Sequence, residues 1–391
     1  MTYLSRTAKL GIAAEATASQ YTAPVFTVPF LPGATRYSDH ITQLYDRTAR
    51  ATDTDTQDIQ QGPWWSAWQV TSDCYADWAG FLYRALVGPD TFTPGTSTTF
   101  AQPSAAGAAS VYLAAPPPAG AVMQLGSGTA LEWAQTGTPS GSGPYLVPVT
   151  SPVTGLRFGH GAGDPALSRA THVFTQHRVI GQAWPSYSFT SDDGTESLGW
   201  PGCFLGEARL QVRHDAWAKL VSKWNGWPPA AAATFTEAET GAQPFAGWSW
   251  QVTTAGGTST RGVDLDLALA RKLQVTPACN GYQGPYFIGA GPLNASGSYS
   301  AIFGTTADLN LYRQAIQEPA VMTLAQPVLQ GGSSIAVTAS LTGWTQGEVS
   351  LAGDYVTAKF RYSGIANTTD SPFAGVGSVV VQNYYQAAYG P

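Results

Sequence analysis

Charge is scarce in this chain. Only 11% of its 391 residues are Asp, Glu, Lys or Arg, against roughly 25% in an ordinary soluble domain. Cysteine is scarcer still. Cys74, Cys203 and Cys279 lie far apart, and an odd count without spacing excludes a closed disulfide framework and a zinc site of the usual pattern. No apolar run approaches the length that spans a bilayer, and the opening "MTYLSRTAKLGIAAEATASQ" lacks the unbroken apolar core of a signal peptide. The expected setting is therefore the cytoplasm in which the chain is made. Basic excess is missing as well: the net charge of −6 removes the usual electrostatic footprint of a nucleic-acid binder.

What the chain has in quantity is glycine (43), proline (27) and aromatic residues (12%). Disordered chains are poor in aromatics and rich in charge, so disorder is the wrong reading. A β-rich fold with many turns fits. So does a surface largely covered by partner subunits.

The first 60 residues read as an arm with short strands, because Pro24, Pro29 and Pro32 interrupt any helix. In "PWWSAWQVTS", Trp64, Ser66, Trp68 and Val70 share one strand face. A helix is expected next over 77–88, with Asp77 as cap, Trp78, Phe81, Leu82 and Ala85 as its stripe, and Gly88–Pro89 as its stop. "DAWAKLVSKWNGWPP" repeats that grammar, so a second helix is expected over 215–226, carrying Trp217, Leu220, Val221 and Trp224. A third signal is "TADLNLYRQAIQEP", with Leu309, Tyr312 and Ile316 on one side and Pro319 beyond. Residues 104–166 are rich in Ala, Gly, Pro and Ser, yet contain strand-like "AVMQL", "ALEWAQ" and "PYLVPVT"; they read as a small β-insert.

Alternation marks further strands. Phe204, Ala208, Leu210 and Val212 oppose Glu207, Arg209, Gln211 and Arg213, while Val263, Leu265, Leu267 and Leu269 oppose Asp264, Asp266 and Ala268. Closing strands are expected near 335–340, 349–362 and 376–385. Residues 174–191 can be laid over 235–252 without a gap, which suggests two duplicated modules.

Candidate chemistry is thin. His172 and His177 are an odd number of positions apart on a strand and cannot readily share a metal. His214 suits capping better than catalysis, and with His40 and His160 completing the five histidines, none is expected to serve as a metal ligand or general base. Asp264 and Asp266 read as a solvated acidic strip rather than a hydrolase pair. "SGSGP" (140–144) lacks the setting of a nucleophile elbow, and "GAGPLNASG" (289–297) precedes a strand, so it is not a phosphate cradle. No catalytic, cofactor-binding or metal residue is expected, and no enzyme.

"GIAAEATASQYTAPVFTVPF" (11–30), the pair "PFAGWSWQV" and "GVDLDLALARKLQV", and "GPLNASGSYSAIFGTTADLNLYRQ" (291–314) resemble segments of the major tail tube proteins of long-tailed, non-contractile bacteriophages. The resemblance covers most of residues 11–390. It implies a mainly β chain of β-sandwich or barrel modules with short flanking helices; the commonest members carry one tube module, whereas this chain reads as two duplicated modules plus a small β insert. The expected division is a first module over 1–103 and 167–228, an insert over 104–166, and a second module over 229–391. It also implies a virion structural protein, assembled in the host bacterial cytoplasm, that stacks as rings into the tube conducting DNA. Three chains imitating six-fold symmetry are favoured, with a hexamer as alternative. Implied partners are the tape measure and the terminator and distal tail proteins; the DNA is passed without specific binding, and no membrane is involved. An acidic or neutral lumen wall is expected, since each phosphate contact adds affinity. A carbohydrate-binding tail-tip or surface adhesin is the rival reading, suggested by the abundance of Trp and Tyr.

Overall fold

The computed structural model describes all residues except 1–6, 49, 51–53, 150–154, 177–183, 240, 255–256, 260, 305, 352–355, 368–376 and 391. The chain begins with β1 (Lys9–Ala14), β2 (Phe26–Thr27), β3 (Arg36–Asp46), β4 (Asp58–Asp73) and helix α1 (Ala76–Leu86). After β5 (Asp90–Thr93) come six short strands: β6 (Ser97–Thr99), β7 (Ser110–Leu113), β8 (Val122–Leu125), β9 (Glu132–Gln135), β10 (Tyr145–Pro148) and β11 (Pro165–Ser168). Then follow β12 (Ala170–Thr175), β13 (Tyr187–Asp192), β14 (Ser197–Arg213), β15 (Lys219–Gly226) and β16 (Ala230–Ala231). The last third holds β17 (Trp250–Thr254), β18 (Gly257–Ser259), β19 (Gly262–Thr276), β20 (Phe287–Ile302), α2 (Ala307–Arg313), β21 (Gln317–Ala325), β22 (Ser334–Ser350), β23 (Thr357–Ile365) and β24 (Gly377–Asn383).

The alternation on β14 and β19 is realised as expected: Ala208, Leu210, Val212, Leu265, Leu267 and Leu269 are buried while their neighbours face outward. These strands sit centrally in one long antiparallel sheet, ordered β3-β4-β15-β14-β19-β20-β23-β22. A second layer covers its apolar face. One part pairs β2, β1 and β13 with the first half of β14. The other runs β5-β12-β24, the first half of β22, then β21, β17 and β18. Thus β14 and β22 each belong to both layers, turning the corner within one strand. Helix α1 is buried on almost every side, with Trp78, Phe81 and Leu82 in the shared core.

The ladders repeat. The order β1-β2-β3-β4-α1, then β13-β14-β15, recurs as β17-β18-β19-β20-α2, then β21-β22-β23. Register shifts fall at matching places: Ile41/Gln43 and Arg271/Leu273, Leu205/Glu207 and Trp344/Gln346, Tyr187/Phe189 and Glu318/Ala320. At the first of these, Gly62-Pro63 on β4 corresponds to Gly291-Pro292 on β20. Proline tolerates a strand interior chiefly at such a bulge, where no ladder N–H is needed. Lys223-Trp224-Asn225-Gly226 likewise corresponds to Arg361-Tyr362-Ser363-Gly364. The gap-free overlay of 174–191 on 235–252 does not mark this repeat. It sets β13 against β17, whose ladder counterpart is β1, and residues 177–183 and 240 lie outside the described residues.

Between α1 and β13, β6–β11 form a four-stranded sheet (β6-β11-β8-β9) and a β7–β10 pair around their own cluster of Phe100, Leu113, Met123, Leu125 and Val147. "AVMQL", "ALEWAQ" and "PYLVPVT" supply β8, β9 and β10. Glu132 is buried there, accepting backbone N–H bonds from Arg157 and Phe158 at 2.7 and 3.1 Å and lying 2.8 Å from His160 Nε2.

Several expectations fail locally. The helix over 215–226 is instead a turn followed by β15, in which Leu220, Ser222, Trp224 and Gly226 are buried at period two. The same residues satisfy both periods, and ladders to β4 and β14 on either side decide for the strand. Trp217, placed on the helical stripe, is 48% exposed. Asp77 is not the cap of α1: the cap position is Tyr75, and Asp77 lies buried in the first turn. The leading arm contains an eleven-residue strand, β3. α2 ends at Arg313, and Pro319 lies inside β21. The strand expected over 349–362 is the end of β22 and the start of β23.

Trp224 is 1% exposed, packs edge-on to Phe189 and Tyr187 at 5.0 and 5.7 Å, and donates its indole N–H to Ser222. Trp224→Ala is expected to cost about 3–5 kcal/mol in denaturant unfolding. Asp215→Ala, at a solvent-exposed turn, is expected to stay within about 0.5 kcal/mol of the parent. A helix with an Asp215 cap would raise the second loss to about 1 kcal/mol.

Candidate assembly surface

The long sheet has one apolar and one polar face, because its strands alternate. On the polar face Arg209 reaches from β14 to Asp266 on β19, its Nε donating to Oδ1 at 2.7 Å. Lys223 Nζ donates to Glu207 at 2.7 Å across β15 and β14, and Ser300 donates to Asp264 at 3.3 Å. Gln211, Arg213, Lys219, Asp266, Ser298 and Lys359 help to line a groove of about 750 Å³ on this side. Acidic and basic side chains interleave here, so the Asp264–Asp266 strip is not a uniform acidic band.

The sheet ends in two open edges. Among the described residues β3 has a ladder partner, β4, on one side only, and residues 344–349 of β22 have a ladder to β23 alone. Each edge presents a row of N–H and C=O groups, the feature that draws another strand. Apolar groups accompany them: Tyr37 on β3 is 47% exposed, and Val349 and Leu351 at the end of β22 are 37% and 79% exposed. Leu44, Tyr45 and Ile59 are exposed toward the tip of the β3–β4 hairpin, as are Tyr282, Tyr286 and Phe287 at the β19–β20 tip. Singly such residues need no explanation, but clusters at hairpin tips read as contact surface.

The histidines are dispersed. His40 stacks on Trp65 at 3.9 Å on the exposed face of β3 and β4. His172 is buried, with Nδ1 2.9 Å from Asp90 and Nε2 3.1 Å from the Tyr385 carbonyl. His160 belongs to the small sheets, His214 to the turn after β14, and His177 lies outside the described residues. Among the described residues no three His, Cys, Asp or Glu side chains are grouped to hold a metal ion. "GAGPLNASG" lies within β20 itself, its Gly-Pro forming the bulge. Sequence reasoning missed the open edges, whose only local signal is strand alternation with polar residues on both faces of β3.

The profile of phage tail tube proteins matches residues 5–340, nearly the whole chain. The chain belongs to this family. Among curated proteins none matches it. As a tail tube protein it is a mainly β structural component of the virion tail that self-assembles, and no helix among the described residues is long and apolar enough to cross a membrane. Trp68, Trp78, Trp200, Trp224 and Trp344 are all buried core. They are not available as platforms for sugar rings, and the adhesin reading is not favoured.

One titratable group in the tail tube protein stands apart. Burial pushes the Asp77 carboxyl up to about 7, offset in part by the Tyr384 backbone N–H. It lies beside a small cavity of about 150 Å³ with Phe26, Tyr75 and Glu239. In the unfolded chain an Asp titrates near 3.9, so folding favours the protonated form between the two values. The stabilising contribution is full below pH about 4 and is lost as pH rises through about 7. Asp77→Asn is therefore expected to remove a fall in stability of at most about 4 kcal/mol between pH 4 and 8. Denaturant unfolding of variant and parent across that range measures it.

Proposed function

We propose that this tail tube protein closes into rings of three chains, which stack into the conduit for genome DNA during ejection. The observation that carries the reading is the long sheet: eight strands, a polar face that carries a groove and, among the described residues, an unpartnered edge at each end. A closed wall removes both edges, and closure is the one arrangement that abolishes them. Each chain then contributes two tube modules, β1–β15 interrupted by the small sheets and β17–β23, so three chains imitate six-fold symmetry.

Geometry supports three. About 24 strands spaced ~4.8 Å and tilted ~40° give a backbone wall about 48 Å across, or about 38 Å between side chains. Two chains leave about 22 Å by the same arithmetic and six leave about 86 Å. The middle value admits a hydrated duplex and still guides it. On the lumen face the ion pairs Arg209–Asp266 and Lys223–Glu207 engage cations that would otherwise hold phosphates, which keeps DNA moving. The exposed hairpin tips suit contact between successive rings. Host-cytoplasm assembly with the tape measure, terminator and distal tail proteins belongs to the same reading.

Purified protein is expected to form tubes of uniform width whose end-on averages show true three-fold symmetry in electron micrographs. Six identical sectors, or monomers only, would overturn the reading. The small sheets join the rest through neighbouring strand ends, since Thr99 pairs with Pro165. Replacing residues 100–164 with a short Gly/Ser turn is expected to leave tubes intact and thinner outside. Loss of folded protein would place those residues within the tube wall.

A further inference from the structure

The ladder repeat makes the open edges readable. Inside the chain, β14 meets β19 at the boundary between the two modules, with Glu207–Arg213 antiparallel to Asp264–Ala270. This is a finished seam. Leu210 lies opposite Leu267, the two being only 2% and 3% exposed, and Arg209 ion-pairs diagonally with Asp266 on the polar face.

Each strand of that seam has a counterpart at an open edge. Bulge for bulge, Leu205/Glu207 on β14 corresponds to Trp344/Gln346 on β22. Arg209 therefore corresponds to Glu348 and Leu210 to Val349. On the other side Arg271/Leu273 of β19 corresponds to Ile41/Gln43 of β3. Asp266 therefore corresponds to Arg36 and Leu267 to Tyr37. Carrying the finished seam onto the open edges sets Gln346 opposite His40, Glu348 opposite Ser38, Val349 opposite Tyr37 and Ser350 opposite Arg36.

Two independent features of the edges fit this register. Val349 and Tyr37 are among the exposed large apolar residues, and the register buries them against each other as Leu210 and Leu267 are buried. Glu348 and Arg36 become diagonal partners, reproducing the Arg209–Asp266 pair with its charges exchanged. Among the described residues Arg36 makes a single hydrogen bond, 3.4 Å from Nη2 to Gln69, and Glu348 stands opposite Lys359 on β23.

We propose that the edge of β22 in one copy joins the edge of β3 in a second copy in this register, sealed by Glu348–Arg36. This rests on the tube reading and adds the seam to it. The exchanged charges also set the order of modules. β14 against β3 would bring Arg209 to Arg36, and β22 against β19 would bring Glu348 to Asp266. Both wrong seams place like charges together, a penalty that enforces alternation. A ring of first modules alone, or of second modules alone, is thereby disfavoured.

Charge reversal tests the proposal. Arg36→Glu or Glu348→Arg alone is expected to raise the protein concentration needed for tube formation tenfold or more, with thermal unfolding of the unassembled chain unchanged. The double variant is expected to return to within about threefold of the parent, since the pair is restored in mirror image. In a Cys279→Ser background, where only the buried Cys74 and Cys203 remain, His40→Cys with Gln346→Cys is expected to cross-link chains on oxidation up to a closed species of three. Ser38→Cys with Gln346→Cys, slipped by two residues, is expected to cross-link at least tenfold more slowly. Tubes formed normally by both single reversals, no rescue in the double, or equal cross-linking of the slipped pair would each overturn the seam while leaving the tube reading standing. Failure of the parent to form tubes would overturn the tube reading and the seam with it.

Discussion

The antiparallel ladder between β14 and β19 is the constraint on which the rest of the structure depends. It joins two four-stranded halves, β3-β4-β15-β14 and β19-β20-β23-β22, into one sheet with a continuous polar face. Covalent linkage holds these halves at high effective concentration, so main-chain bonds and Leu210–Leu267 packing suffice to fix their register. The ends of that sheet are left open for the same reason. Among the described residues no further strand covers β3 or the last residues of β22.

Holding the sheet in shape falls to the layer behind it. β14 and β22 each begin in that layer and finish in the long sheet, so neither layer can slide over the other without breaking a strand. Helix α1 fills the space between them with Trp78, Phe81 and Leu82, and Trp224 locks β15 to the aromatic cluster around Tyr187 and Phe189. A buried polar network pins the first strand. Glu15 accepts hydrogen bonds from Ser186 and Ser188 hydroxyls and from the Gly202 backbone at 2.6–2.7 Å, fastening the end of β1 to β13 and β14. Such a network is costly when incomplete and specifying when satisfied.

The Arg209–Asp266 pair illustrates how little of this function is local chemistry. It is partly exposed, and isolated pairs of that kind contribute about 0–1 kcal/mol. Its significance is positional, because its counterparts Glu348 and Arg36 carry opposite signs on opposite open edges. In the proposed ring, a weak interaction repeated at every seam selects among arrangements that main-chain pairing alone would treat alike.

Much of this was legible in residue order. Period-two alternation placed β14 and β19, the apolar stripe after Asp77 placed α1, and Gly and Pro turns between short apolar runs placed β8, β9 and β10. Those signals are local, since each needs only the side-chain period of one segment. Residues 215–226 show where local signals stop. Trp217, Leu220, Val221 and Trp224 fit a helix, while Leu220, Ser222 and Trp224 fit a strand, and the β4 and β14 ladders on either side settled the matter. The repeat of ladders was sought on the wrong segments, because aromatic-rich strands resemble one another in sequence while their neighbours differ. Only the pairing registers, with their matching bulges, assign β1 to β17 and β13 to β21. The open edges were invisible for the same reason: whether a strand has a partner depends on distant segments, and a chain of residues does not state which of its ladders end without one.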